Sequence, residues 1–110
     1  MPELKCGPSA TYRGWRSVDG PHVTRTDEDG TETPLALNPR SGLPGTEFEW
    51  GLDDSGADQL AFALLFDAFG EEEADAFYVD FKFDVVADLD DEWDFSARDV
   101  ADWLDGYLDE

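Results

Sequence analysis

Residues able to do chemistry are unevenly supplied in this chain: one histidine, His22, one cysteine, Cys6, and 28 Asp and Glu against 7 Lys and Arg in 110 residues. A single imidazole cannot build a two-histidine metal site, nor a Ser-His or Cys-His relay with a spare base. Cys6 alone gives neither an intramolecular disulfide nor a thiolate metal site, and a free thiol suits a reducing cytoplasm. Two carboxylates for general acid and base work are available almost anywhere in so acidic a chain, so their proximity says little. Asp27-Glu28-Asp29-Gly30 starts like a calcium loop. Its glycine is in the wrong place, however, and Asn38 stands where the closing Glu is required, so the segment reads as a turn. Asp88-Leu89-Asp90-Asp91-Glu92 offers oxygens to loosely held cations without a coordination pattern. No Gly-rich turn precedes a Lys and a hydroxyl at phosphate-loop spacing. No cofactor, resident metal or catalytic residue is expected, and a small hydrolase is the third-ranked reading.

Two constellations suit binding. Phe48-Glu49-Trp50-Gly51-Leu52-Asp53-Asp54-Ser55-Gly56 joins a loop to a buried helix, and a glycine-containing turn at a helix N-terminus exposes N–H groups to an anion. Arg13, Arg16, Arg25 and Arg40 lie in the same half as Trp15 and Trp50, a combination that stacks on bases. The candidate site is therefore Arg13, Arg16, Glu49, Trp50, Asp54 and Ser55. The competing reading is scaffold: Trp50 seals the sheet against the first helix, Glu49 pairs with Arg13 across that seam, and Arg16, Arg25 and Arg40 offset nearby carboxylates.

The elements that must position these residues divide near Gly51, and the charge divides with them: −3 over residues 1–50 and −18 over residues 51–110, within a total of −21. The first half reads as strands over 11–16, 22–26 and 31–37, separated by Asp19-Gly20 and Asp27-Glu28-Asp29-Gly30, a three-stranded antiparallel meander. Pro34, lacking a donor, makes the third strand an edge or a short one. The period of two puts Tyr12, Gly14 and Arg16 on one face, Arg13 and Trp15 on the other, so one arginine lies near the helices. Residues 38–46, with Pro39, Gly42, Pro44 and Gly45, form a loop. The second half reads as three helices. Ser55 and Asp58 frame the start of one that is apolar throughout Leu60 to Phe66 and ends at Gly70. A second runs through Ala74, Phe77, Tyr78, Phe81, Val85 and Leu89, with Asp80, Asp84 and Asp88 as a solvated row. A third starts at Ser96 with Asp99 as its capping partner and presents Val100, Leu104, Tyr107 and Leu108 on one side, opposite Asp102, Asp105 and Asp109, with Trp103 packed at the border. Strands followed by helices define an α+β fold, a three-stranded antiparallel sheet packed against a layer of about three C-terminal helices, the first of them in the middle. Residues 1–10 read as a flexible N-terminal segment and 11–110 as a single domain.

A net charge of −21 with 41% hydrophobic residues, four Trp and eight Phe is an acidic surface over a folded core, not a disordered tail. Only Lys5 and Lys82 are lysines and 18 of the acids are the short Asp, which fits a salt-rich cytoplasm where such repulsion is screened. A DNA mimic would carry the same surface. Direct nucleic acid binding is disfavoured, because phosphates would be repelled. No apolar run is long enough for a membrane span, and residues 1–10 lack the pattern of a signal peptide, so a cytoplasmic protein without membrane contact is expected.

Tyr12-Arg13-Gly14, Phe48-Glu49-Trp50-Gly51 with Ser55-Gly56 and Gln59-Leu60-Ala61, and Phe81-Lys82 with Val85-Val86-Ala87 and Trp93 resemble, in order, a small prokaryotic family of unknown function. That family is found in bacteria, haloarchaea and their viruses and plasmids. Where related chains tend to read Gly-Tyr-Gly-Gly-Ser-Gly-Pro, this one has Gly51-Leu52-Asp53-Asp54-Ser55-Gly56-Ala57, a stiffer and more acidic loop. The resemblance brings no activity, cofactor or catalytic residue; it implies the order of elements, a haloarchaeal member and a mobile-element setting. The expectation for function is a non-catalytic accessory or regulatory protein of a halophile, its virus or mobile element, acting on a protein partner. A DNA-mimicking or nucleic-acid-associated regulator is the alternative.

Overall fold

Two turns with glycine at their ends set the sheet. The computed structural model describes residues 4, 5, 7, 9–35, 48–51 and 55–108, with Ser55 given by its backbone. Strand β1 (Thr11–Ser17) turns through Val18 and Asp19 into β2 (Gly20–Thr26), with Ser17 paired to Gly20, whose φ is 115°. A positive φ is what glycine tolerates best. At the second turn Gly30, φ 90°, donates its N–H to Asp27 O at 2.9 Å. Asp29 Oδ1 accepts from Thr31 N–H at 2.9 Å. That N–H and then the Thr31 hydroxyl hold the exposed Asp29 carboxyl below its ordinary value of 3.8, so their contribution is present above that pH and lost as pH falls through the lowered value. Strand β3 (Glu32–Pro34) follows on the edge beside β2, where a proline costs no ladder bond. Residues 36–37 of the expected strand and the loop at 38–46 lie outside the described residues.

Among the described residues the sheet has four strands, not three. Trp93–Ser96 forms β4 and pairs antiparallel with β1, giving the order β3-β2-β1-β4. Four residues are too few to announce a period, but Trp93 and Phe95 alternate with Asp94 and Ser96 as a half-buried strand requires. Gly14 lies opposite Trp93, and a Cβ there would come within 2.4 Å of the indole ring. The glycine is thus the space the tryptophan occupies.

Helix α1 (Ser55–Phe69) is the middle layer. Leu60, Leu64, Leu65 and Ala68 are fully buried and Phe62 and Phe69 nearly so, because the helix meets the sheet at Tyr12 and Arg25 on one side and α2 (Glu71–Asp84) on another. Each large side chain so buried contributes roughly 1.5–3 kcal/mol. A polar staple fastens α1 to the sheet, where Asp67 Oδ2 accepts from the Tyr12 hydroxyl at 2.7 Å and stands 2.8 Å from Arg25 Nε. Another joins α1 to α2: Lys82 Nζ lies 2.9 Å from Asp58 Oδ1, with Lys82 only 7% exposed. Gly70 separates the helices at φ 109°, ψ −175°, a region glycine alone occupies readily, and Glu71, Glu72 and Glu73 then fill the positive end of α2.

Two helical expectations change. The second helix stops at Asp84 instead of running to Leu89, and a 3₁₀ turn (Val86–Asp88) follows, with Val86 O accepting from Gly51 N–H at 2.9 Å. Consecutive β-branched Val85 and Val86 favour that break. The acid row is not wholly solvated either. From α3 (Ala97–Leu108), Tyr107 donates its hydroxyl to Asp80 at 2.9 Å and Trp103 its indole N–H to Asp84 at 3.1 Å. An aromatic ladder backs these bonds, with Phe81 edge-on to Trp103, Trp103 stacked on Tyr107, and Phe77 edge-on to Tyr107. At the start of α3 the reciprocal cap forms as expected: Ser96 N–H donates to Asp99 Oδ2 at 2.9 Å and Asp99 N–H to Ser96 Oγ at 3.1 Å. Val100 and Leu104 are buried, whereas Leu108, in the last turn, is exposed.

Candidate functional site

Arg16 continues the inward face of β1 beyond Tyr12 and Gly14, past the point where α1 covers the sheet. Its guanidinium donates to Asp91 Oδ1 at 2.7 Å, Glu49 Oε1 at 2.9 Å and Trp50 O at 2.8 Å, and lies 4.5 Å from the centre of the Trp50 ring. Trp50 itself is fully buried and meets Trp93 edge-on at 5.6 Å. Around these groups Gly51, Leu89 and Asp90 complete an open groove of about 580 Å³. Gly51 takes φ 75°, and a Cβ on it would stand 3.0 Å from Leu89 O.

Of the six candidate residues, the fold gathers three: Arg16, Glu49 and Trp50. Arg13 lies on the opposite face of the sheet, so the partner of Glu49 is Arg16 and not Arg13. Ser55 opens α1, and Asp54 lies outside the described residues. Of the expected anion-receiving turn, residues 52–54 lie outside the described residues. Gly51 N–H already bonds to Val86 O, and Arg16 faces Glu49, Asp90 and Asp91, so the groove is net negative and favours a cation over an anion. Among described arginines, Arg25 also serves carboxylates, with Asp27 at 2.7 Å beside Asp67; Arg40 lies outside the described residues. His22 stacks on Trp15 at 5.2 Å and shares a 2.7 Å hydrogen bond with Ser17 Oγ. Among the described residues no group of three or more His, Cys, Asp or Glu could hold a metal ion, and no helix is long and apolar enough to cross a membrane.

A second surface escaped the sequence pattern. Ala76, Val79 and Phe83 are exposed at i, i+3 and i+7 of α2, on one face of the helix, with Val79 42% and Phe83 53% exposed. Exposed Glu72, Asp75 and Asp84 flank them. The available signal was that these apolar residues fall outside the stripe formed by Ala74, Phe77, Tyr78 and Phe81. Between α2, β4 and α3 a smaller dent of about 190 Å³ is lined by Phe81, Val85, Phe95, Val100 and Trp103, with Asp99 at its edge.

A four-stranded antiparallel sheet covered on one face by helices, with an arginine clamp where strand and helical layers meet, makes this a small α+β protein. The chain matches the profile of a family of unknown function, DUF6166, over residues 12–106, and it belongs to that family. Neither a curated protein nor a solved structure matches it.

Proposed function

We propose that the protein is a non-catalytic accessory or regulatory factor that docks a protein partner through the exposed face of α2, in the salt-rich cytoplasm of a halophile, its virus or mobile element. The observation that carries this reading is the apolar line Ala76, Val79 and Phe83 left in solvent on a chain of charge −21. In molar salt, charge alone holds a complex weakly because the Debye length is only about 3 Å, whereas apolar contact persists. The partner has an apolar surface rimmed by Lys or Arg, complementary to Glu72, Asp75 and Asp84. Phe83 is the anchor, a large ring whose burial concentrates interface energy.

Pull-down from the native host in molar KCl, followed by titration of the captured protein, tests this. Val79→Ser with Phe83→Ser should weaken its binding at least roughly tenfold, about 1.4 kcal/mol, with an unchanged melt. Retained affinity in that variant, with loss confined to Glu49→Gln, would place the surface at the Arg16 groove instead.

A further inference from the structure

We infer that the open face of the sheet pairs with the same face of a second copy of this chain. Among the described residues, helices cover only the side that carries Tyr12, Gly14, Val23 and Trp93; the cross-strand pairs put Arg13, Trp15, His22, Thr24 and Asp94 together on the other. Arg13 and Asp94 are directly opposite on β1 and β4, yet neither makes an ion pair with any described residue. The Arg13 guanidinium instead lies 5.0 Å from the centre of the half-buried Trp15 ring, which in turn stacks on His22. Beside it Glu92, Trp93 and Asp94 form a dent of about 210 Å³ with Arg13 in its wall.

This surface carries its own complement. Exposed Arg13 matches Asp94 and Glu92 in charge, and a two-fold rotation about an axis through the face brings each onto the other copy, the self-matching arrangement of a symmetric dimer; enclosed between the two sheets beside the Trp15 rings, these pairs are screened much less by molar salt than exposed ones. Those same carboxylates repel phosphate, so a nucleic acid strand fits less well despite the arginine and the aromatic rings. Charge selects this face in a second way. Among the described residues the strands' outer side carries Glu32 and Asp94 as acids, with Glu92 beside them, whereas α2 alone carries Glu71, Glu72, Glu73, Asp75, Asp80 and Asp84, so two chains approach through the sheet with less repulsion than through the helices, and molar salt screens the rest. The pair turns both helical layers outward and so presents two α2 stripes, which makes capture bivalent.

Sedimentation equilibrium in molar KCl, at several protein concentrations, reads the result. Wild type should fit twice the chain mass. Arg13→Glu alone and Asp94→Arg alone should each give monomer, with circular dichroism showing an unchanged fold. An equimolar mixture of the two single variants should recover the dimer, because in the mixed pair every arginine again meets an acid. A monomeric wild type, a dimer indifferent to both charge reversals, or a mixture that stays monomeric would overturn the inference. Trp15→Ser provides an independent arm, since loss of the ring should shift the equilibrium toward monomer without altering charge.

Discussion

Leu64→Ala should lower the free energy of unfolding by roughly 2–5 kcal/mol, because it removes a fully buried side chain from the middle layer and leaves a cavity that the helix, held on both sides, cannot collapse into. Asp84→Asn is the control. Asn keeps an oxygen able to accept from the Trp103 indole N–H, 3.1 Å away in the native protein, and the site is exposed, so the change should cost under about 0.5 kcal/mol. Denaturant melts at one fixed salt concentration decide the matter. Comparable losses for the two variants would mean that α1 is not the central layer.

The second large effect is on the whole fold. Residues 51–110 carry −18, and the repulsion between such surface charges reaches about 10 Å at 0.1 M salt but only about 3 Å at 1 M. Circular dichroism should show mixed helix and strand in molar KCl, with a melting temperature that climbs steeply with salt. Dilution to about 50 mM KCl should lower it well below the molar value, since exposed carboxylates are then poorly screened. A melt that does not move would detach the acidic surface from adaptation to salt. The interior ion pairs, Lys82 with Asp58 and Asp67 with Arg25, are partly shielded from solvent ions and should survive the dilution longest.

Much of the architecture was legible because local signals agreed with the tertiary structure. Asp-Gly turns, the edge proline, the apolar run through Leu64 and the Ser96 cap each rest on backbone chemistry within a few residues of one another. The fourth strand was not legible: Trp93–Ser96 is stabilised by pairing with β1, some eighty residues away, and by the gap at Gly14 that receives the Trp93 ring. The inward direction of Arg16 followed from strand alternation, but its partners did not, since Glu49 and Asp91 come from loops whose paths no period describes. Asp80 and Asp84 misled for the opposite reason. Their spacing is that of a solvated helix face, and only the docking of α3 converts them into acceptors for Tyr107 and Trp103. Val79 and Phe83 were hidden by their own chemistry, because an apolar residue on a helix reads as core until the fold shows which side is left in water.

The docking role of α2 is tested most directly by placing a photo-reactive phenylalanine analogue at Phe83 and, separately, at Trp15, and irradiating each protein in native-host extract at molar KCl. A surface built around α2 predicts one dominant protein adduct at Phe83, with the joined peptide apolar and flanked by Lys or Arg, and competition for it by unlabelled wild type but not by the Val79→Ser, Phe83→Ser variant. No adduct at Phe83, with the same host protein joined at Trp15, would contradict the account and move the partner to the sheet.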